Sequence, residues 1–233
     1  MKKFYVTNIA LLLLSSTVPA QDNGTILFSY TLHKNIRLYS KKSDLAYTKG
    51  DIDRGTFLFD SLVKNQLTGT TFDNFSFKRL KKSRLYLNSI KKPVFLITYA
   101  SWCVPSKGEI PALNKLAQRY GKDIQFIVLY WDRKNNIKKI AKKFNSHIEV
   151  CYAHETYNKD AYLVSTLKHT LGFPTSYFLD ENLKVVNIKR GGAILTEKAT
   201  FAKALDLNYR TFQEGLSCLL INVDSHSQRL AKH

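Results

Sequence analysis

Cysteine is scarce: the 233-residue chain has three, Cys103, Cys151 and Cys218. So small and odd a number excludes a disulfide scaffold, and it leaves one thiol free or paired outside the chain even in an oxidising compartment. Acidic residues are also few, 18 against 36 Lys and Arg, for a formal net charge of +18. Such an excess favours acidic proteins or anionic membrane surfaces as partners, but no nucleic-acid motif accompanies it, so nucleic-acid binding is not expected. Beyond the N-terminal segment no apolar run approaches the roughly 18 residues that a membrane span needs. Internal repeats, low-complexity linkers, a phosphate-cradling glycine loop, a Ser-His-Asp order and paired catalytic carboxylates are all lacking. His147, Cys151 and His154 fall on opposite faces of one strand, a poor arrangement for a metal, and no metal or cofactor is expected.

What is present begins with residues 1–20. Lys2 and Lys3, the apolar run Ile9 to Leu14 and Val18-Pro19-Ala20 have the form of an export signal with a small-residue cleavage site. No cysteine lies in or just after that segment, so a lipid-anchored cysteine is not expected, and the mature protein reads as periplasmic or secreted. Residues 21–66 read as an irregular extension with short strands such as Ile26 to Leu32.

From residue 67 the pattern becomes orderly. Asn74 to Leu80 and Leu85 to Leu87 read as strand pieces, and the continuous apolar run Val94 to Ala100 reads as a strand buried on both faces. A helix is predicted from about Val104 to Tyr120, then a buried strand Ile124 to Asp132 and a basic helix to about Phe144. There Arg133, Lys134, Lys138, Lys139, Lys142 and Lys143 form a solvated face around Ile137, Ile140 and Ala141. Ile148 to Ala153 reads as a strand, Lys159 to Leu171 as a helix, TSYFLD and KVVNIK as a closing hairpin, and Thr196 to about Leu205 as a last helix. The expected architecture is an α/β fold with a central mixed sheet and helices on both faces. The expected organisation is a domain over 67–208 followed by a tail over 209–233.

Within this order YASWCVPS, residues 99–106, places Cys103 just past a buried strand and at the start of the predicted helix. Helix-terminal amides and the helix dipole would lower the pKa of a thiol there, and the thiolate is the nucleophile. Together with LTGTTFDNFSFKRL, KGEIPALNKL and LGFPTSYFLDENLKVV, followed by Gly191-Gly192, this stretch resembles the thioredoxin-like family. The likeness is to the exported TlpA- and ResA-like redoxins, over about residues 67 to 205. The resemblance implies that Trp102 and Cys103 match the active-site pair and Pro105 the central proline of the motif. It makes Glu109 the buried acid that tunes the thiol, and Phe173-Pro174 a cis-proline loop facing it. It also implies exchange of disulfides with exported protein thiols or disulfides, or with a small thiol.

Ser106 departs from the family pattern, because it occupies the place of the resolving cysteine. A dithiol enzyme releases its mixed disulfide with that second thiol. A serine can donate a hydrogen bond to the Cys103 thiolate but cannot displace a disulfide. Two readings follow: a monothiol oxidoreductase acting through Cys103, or a thioredoxin fold retained as a binding module. A peroxidase of the peroxiredoxin kind would need proline and threonine or serine where Leu96 and Ala100 stand. Cys151 reads as a buried core residue, and Cys218 as a residue of the tail.

Overall fold

The computed structural model describes residues 25–230, except 104, 194 and 197. The export signal expected over 1–20 lies outside the described residues. Among these no helix is long and apolar enough to cross a membrane.

The two apolar runs become the middle of a sheet. β3 (Val94–Tyr99) is buried along its whole length and pairs in parallel with β4 (Gln125–Tyr130), which pairs in parallel with β5 (Ile148–Tyr152). β6 (Thr175–Leu179) runs antiparallel to β3, and β7 (Val185–Arg190) antiparallel to β6. β1 (Ser76–Arg79) and β2 (Leu85–Tyr86) complete the other edge, giving seven strands in the order β2-β1-β5-β4-β3-β6-β7. This is the expected mixed sheet. The carboxyl ends of β3 and β4 lie side by side, the usual place for a site in a sheet of this kind.

Helices cover both faces. One face packs on α3 (Glu109–Tyr120), α4 (Lys134–Ala141) and α6 (Phe201–Leu230) through Leu113, Leu116, Ile137, Phe212 and Leu216. The last helix therefore runs well past the expected end near Leu205. Ala204, Phe212, Leu216 and Leu219, separated by eight, four and three residues and so on one helical face, are all buried and supply the reason.

The other face carries α1 (Phe28–Thr48), α2 (Ile52–Leu62) with a wider turn at Val63–Leu67, and α5 (Ala161–Leu163), which is flanked by helical turns Asn158–Asp160 and Val164–Lys168. The extension is thus helical, and the strand expected at Ile26 to Leu32 is absent. Phe28 and Leu32, which looked like alternation, lie one helical turn apart and are both fully buried; Phe28 packs on Phe72 and Tyr177. The first turn of α1 takes its cap from a distant residue. Asp73 accepts hydrogen bonds from Ser29 N at 2.9 Å, Ser29 Oγ at 2.7 Å and Tyr162 Oη at 2.7 Å. At the other end Arg190 of β7 lies over the rings of Phe59 and Tyr39.

Candidate functional site

Where β3 ends, the chain turns sharply. Cys103 N donates to Ala100 O at 3.0 Å, and Ser101 is held from the end of β4 by Asp132, which accepts from Ser101 Oγ at 2.6 Å. Cys103 is a free, half-buried thiol in this turn.

The helix predicted from Val104 begins instead at Glu109. Two residues explain the delay. Pro111 has no N–H to give Lys107 O, so a helix begun earlier would carry it in its interior, whereas in the first turn the missing donor costs little. Gly108 adopts φ +81°, and a Cβ on it would lie 2.7 Å from Leu205 N of α6. Only glycine meets both conditions. Cys103 consequently does not sit on the first amides of the helix, and the expected lowering of its pKa is not found. Burial, and then the charge of Glu109, push the Cys103 thiol above its ordinary value.

Glu109 is only 3% exposed and accepts two hydrogen bonds, one from Tyr99 Oη to Oε1 and one from Ser106 N to Oε2 at 2.7 Å. Glu109 N in turn donates to Ser106 O at 3.0 Å, so side chain and backbone close the motif loop on the helix start. Tyr99 is held well above its usual pKa by burial and by Glu109, and Tyr130, stacked on it with centroids 5.8 Å apart, is also raised, chiefly by burial. Gly192 leaves room on the other side of the carboxylate: a Cβ there would stand 3.3 Å from Glu109 Oε2.

Ser106 does not turn its hydroxyl on Cys103 as expected. Its Oγ donates to Asn208 Oδ1 at 3.2 Å. Asn208 is fully buried on α6; its Nδ2 donates to Lys107 O at 3.0 Å and Ala204 O at 2.9 Å, and Oδ1 also accepts from Ala193 N at 3.4 Å. Lys107 O is the carbonyl that Pro111 leaves without its helical partner, so Asn208 completes the turn that Pro111 interrupts. Sequence reasoning missed this residue. Its one available signal was a lone amide in line with the apolar positions Ala204 and Phe212 of a helix.

The second loop of the site precedes β6. The Phe173–Pro174 peptide is cis, and Pro174 O accepts from Gly191 N at 2.8 Å. Trp102, 74% exposed, makes an edge contact with Phe173 at 5.4 Å between centroids, which joins the two loops. Pro105 is half-buried in the first loop. Trp102, Cys103, Pro105, Ser106, Glu109, Phe173 and Pro174 thus fall on these two loops and the helix start beside them.

The other cysteines differ. Cys151 is buried in β5, where desolvation holds its thiol far above the ordinary value, and Cys218 is half-buried on α6. Among the described residues no group of three His, Cys, Asp or Glu is placed to hold a metal ion.

Comparison with known proteins matches residues 68–188 to the AhpC/TSA family. The chain is 26% identical over 141 residues to the thioredoxin-like protein YneN of Bacillus subtilis (strain 168), covering 60% of this chain and 79% of the relative. It is 30% identical over 121 residues to a thiol-disulfide oxidoreductase ResA of Bacillus cereus, covering 51% of this chain and 66% of the relative. Among solved structures, the thioredoxin domain of a thiol-disulfide oxidoreductase from Bacteroides vulgatus is similar with TM-score 0.48 and 21% identity, over 63% of this chain and 96% of that one. The chain belongs to the AhpC/TSA family of thioredoxin-like proteins.

Proposed function

We propose that this AhpC/TSA family member is an exported thiol-disulfide oxidoreductase acting through the single thiol of Cys103. The observation that carries the reading is the placement of Cys103: a free, half-buried thiol at the carboxyl end of a central strand, with Glu109 buried behind it and the Trp102–Phe173 contact closing the Pro174 loop beside it. The similarity to ResA, a thiol-disulfide oxidoreductase, supports the same chemistry, and the charge and length of residues 1–20 support export.

In the proposed cycle Cys103 loses its proton to solvent and attacks one sulfur of a partner disulfide. A new S–S bond forms to Cys103, the old one breaks, and its second sulfur leaves as a thiolate that takes up a proton. Ser106 supplies no thiol for release. A second thiol of the partner, or a small thiol, therefore attacks the partner's sulfur, forms the new disulfide and returns Cys103. The raised pKa makes the thiolate a minor species at neutral pH, so the first step speeds up as pH rises.

That same raised pKa, with the Ser106 hydroxyl committed to Asn208, favours a second reading, a binding module with a retired site. Trapping separates the two. Incubated with a protein carrying scrambled disulfides, the reduced chain is expected to accumulate a mixed disulfide at Cys103, to lose it in Cys103→Ala and to hold less of it in Ser106→Cys, where a second thiol can release the partner. Disulfide shuffling that proceeds unchanged in Cys103→Ala would end the proposal.

A further inference from the structure

Between the turn after β1 and α4 lies a groove that the cycle above does not use. It has a volume of about 510 Å³ and is lined by the exposed Lys81, Lys134, Lys138 and Lys142 and the half-buried Leu80 and Ala141. One wall is the turn after β1 and the other is α4. Lys134, Lys138 and Lys142 recur at four-residue steps, so they share one face with a rise of about 6 Å per step. All four lysines are exposed, and none has an acidic partner among the described residues. The nearby carboxylates are committed elsewhere: Glu149 to Arg79 and Lys82, Asp132 to Ser101. Like charges at this spacing destabilise a helix, and an anionic occupant would remove that repulsion.

We propose that this groove docks an acidic, extended segment of the disulfide-bearing partner and so selects which disulfide reaches Cys103. The proposal rests on the oxidoreductase reading and names its substrate class. In an extended chain every second side chain points the same way, about 7 Å apart. Alternating Asp or Glu residues thus nearly match the step between lysines, while apolar residues can cover Leu80 and Ala141. Position supports the pairing. Asp132 holds Ser101 in the thiol loop and Lys134, at the start of α4, follows two residues later, so one end of the helical wall stands near that loop, whereas β1 runs antiparallel to β5 and carries Leu80 and Lys81 towards the other end of the sheet. A concave channel suits a peptide strand better than a flat bilayer.

The test uses the full-length protein and two peptides. Each has one cysteine capped as a mixed disulfide with thionitrobenzoate; one alternates Glu with small apolar residues, and the other has Gln in place of Glu. Attack of Cys103 on the peptide sulfur forms the Cys103–peptide disulfide and expels coloured thionitrobenzoate. Each rate is divided by the same protein's rate with a small neutral aromatic disulfide. A ratio favouring the Glu peptide by about tenfold in low salt is expected, with collapse at about 0.5 M salt. Lys134→Gln/Lys138→Gln/Lys142→Gln should abolish the preference and the corresponding Glu triple should reverse it, with circular dichroism checking the fold of both. Equal ratios for the two peptides in the wild type would overturn the proposal. If the small disulfide does not react, the oxidoreductase reading fails, and anisotropy of a labelled, cysteine-free Glu peptide decides docking alone. Binding that is lost in the Gln triple supports docking, and no binding refutes it. Binding to phosphatidylglycerol vesicles without binding to the peptide also refutes it.

Discussion

Replacing Asn208 with alanine removes a side chain that ties the thiol loop to α6. Four hydrogen bonds go with it: those from Ser106 Oγ and Ala193 N, and those to Lys107 O and Ala204 O. At about 1 kcal/mol net for each, with the 3.4 Å contact to Ala193 counted as negligible, the loss is about 3 kcal/mol. With a urea slope of about 2 kcal/mol per M, the unfolding midpoint should fall by about 1.5 M. A second readout separates loosening of the loop from general weakening. Burial is the main reason the Cys103 thiol is raised, so a freed loop should hydrate it and bring its alkylation by iodoacetamide to lower pH. Alkylation followed by peptide mass spectrometry, with Cys151 and Cys218 as internal controls, measures this. A midpoint within about 0.3 M of wild type, together with an unmoved Cys103 profile, would show that Asn208 does not set the loop.

Two further outcomes follow from the same geometry. In Glu109→Gln the second cause of the raised Cys103 pKa disappears while burial remains, so the alkylation profile should move to lower pH; movement to higher pH would contradict the assigned cause. Tyr99 and Tyr177 are raised above the ordinary 10.0 chiefly by burial, so folding favours their neutral forms. That contribution is intact below about pH 10, where the unfolded tyrosines begin to ionise, and is lost as pH rises toward the folded values. Urea midpoints should therefore fall between pH 9 and pH 11 (about one unit either side of that value), and a flat response would count against the buried phenols.

The sheet was legible because β3 and β4 are buried on both faces and so appear as unbroken apolar runs, and because β6 and β7 flank a turn rich in Asp and Asn. The candidate residues could be named through resemblance, since they fall in short segments whose order is informative. What escaped depended on distant partners. Phe28 and Leu32 fit a strand and a helix equally well until Asp73 caps the first turn. The start of α3 is decided by Gly108 against Leu205, and the place of the Ser106 hydroxyl by Asn208, contacts across about a hundred residues that no local pattern encodes.

The contact of Gly108 with α6 also gives the molecule an order of completion. A chain made from its N-terminus has already formed Cys103, Glu109 and the whole sheet sequence when Leu205 and Asn208 are added. Until then Gly108 has no wall behind it, and Lys107 O and Ser106 Oγ lack the amide that holds them. The thiol loop is therefore among the last parts to take its working shape. A product clipped just ahead of Ala204 would keep every residue of the motif and still lack the site, so the integrity of the final helix is itself a condition for the chemistry.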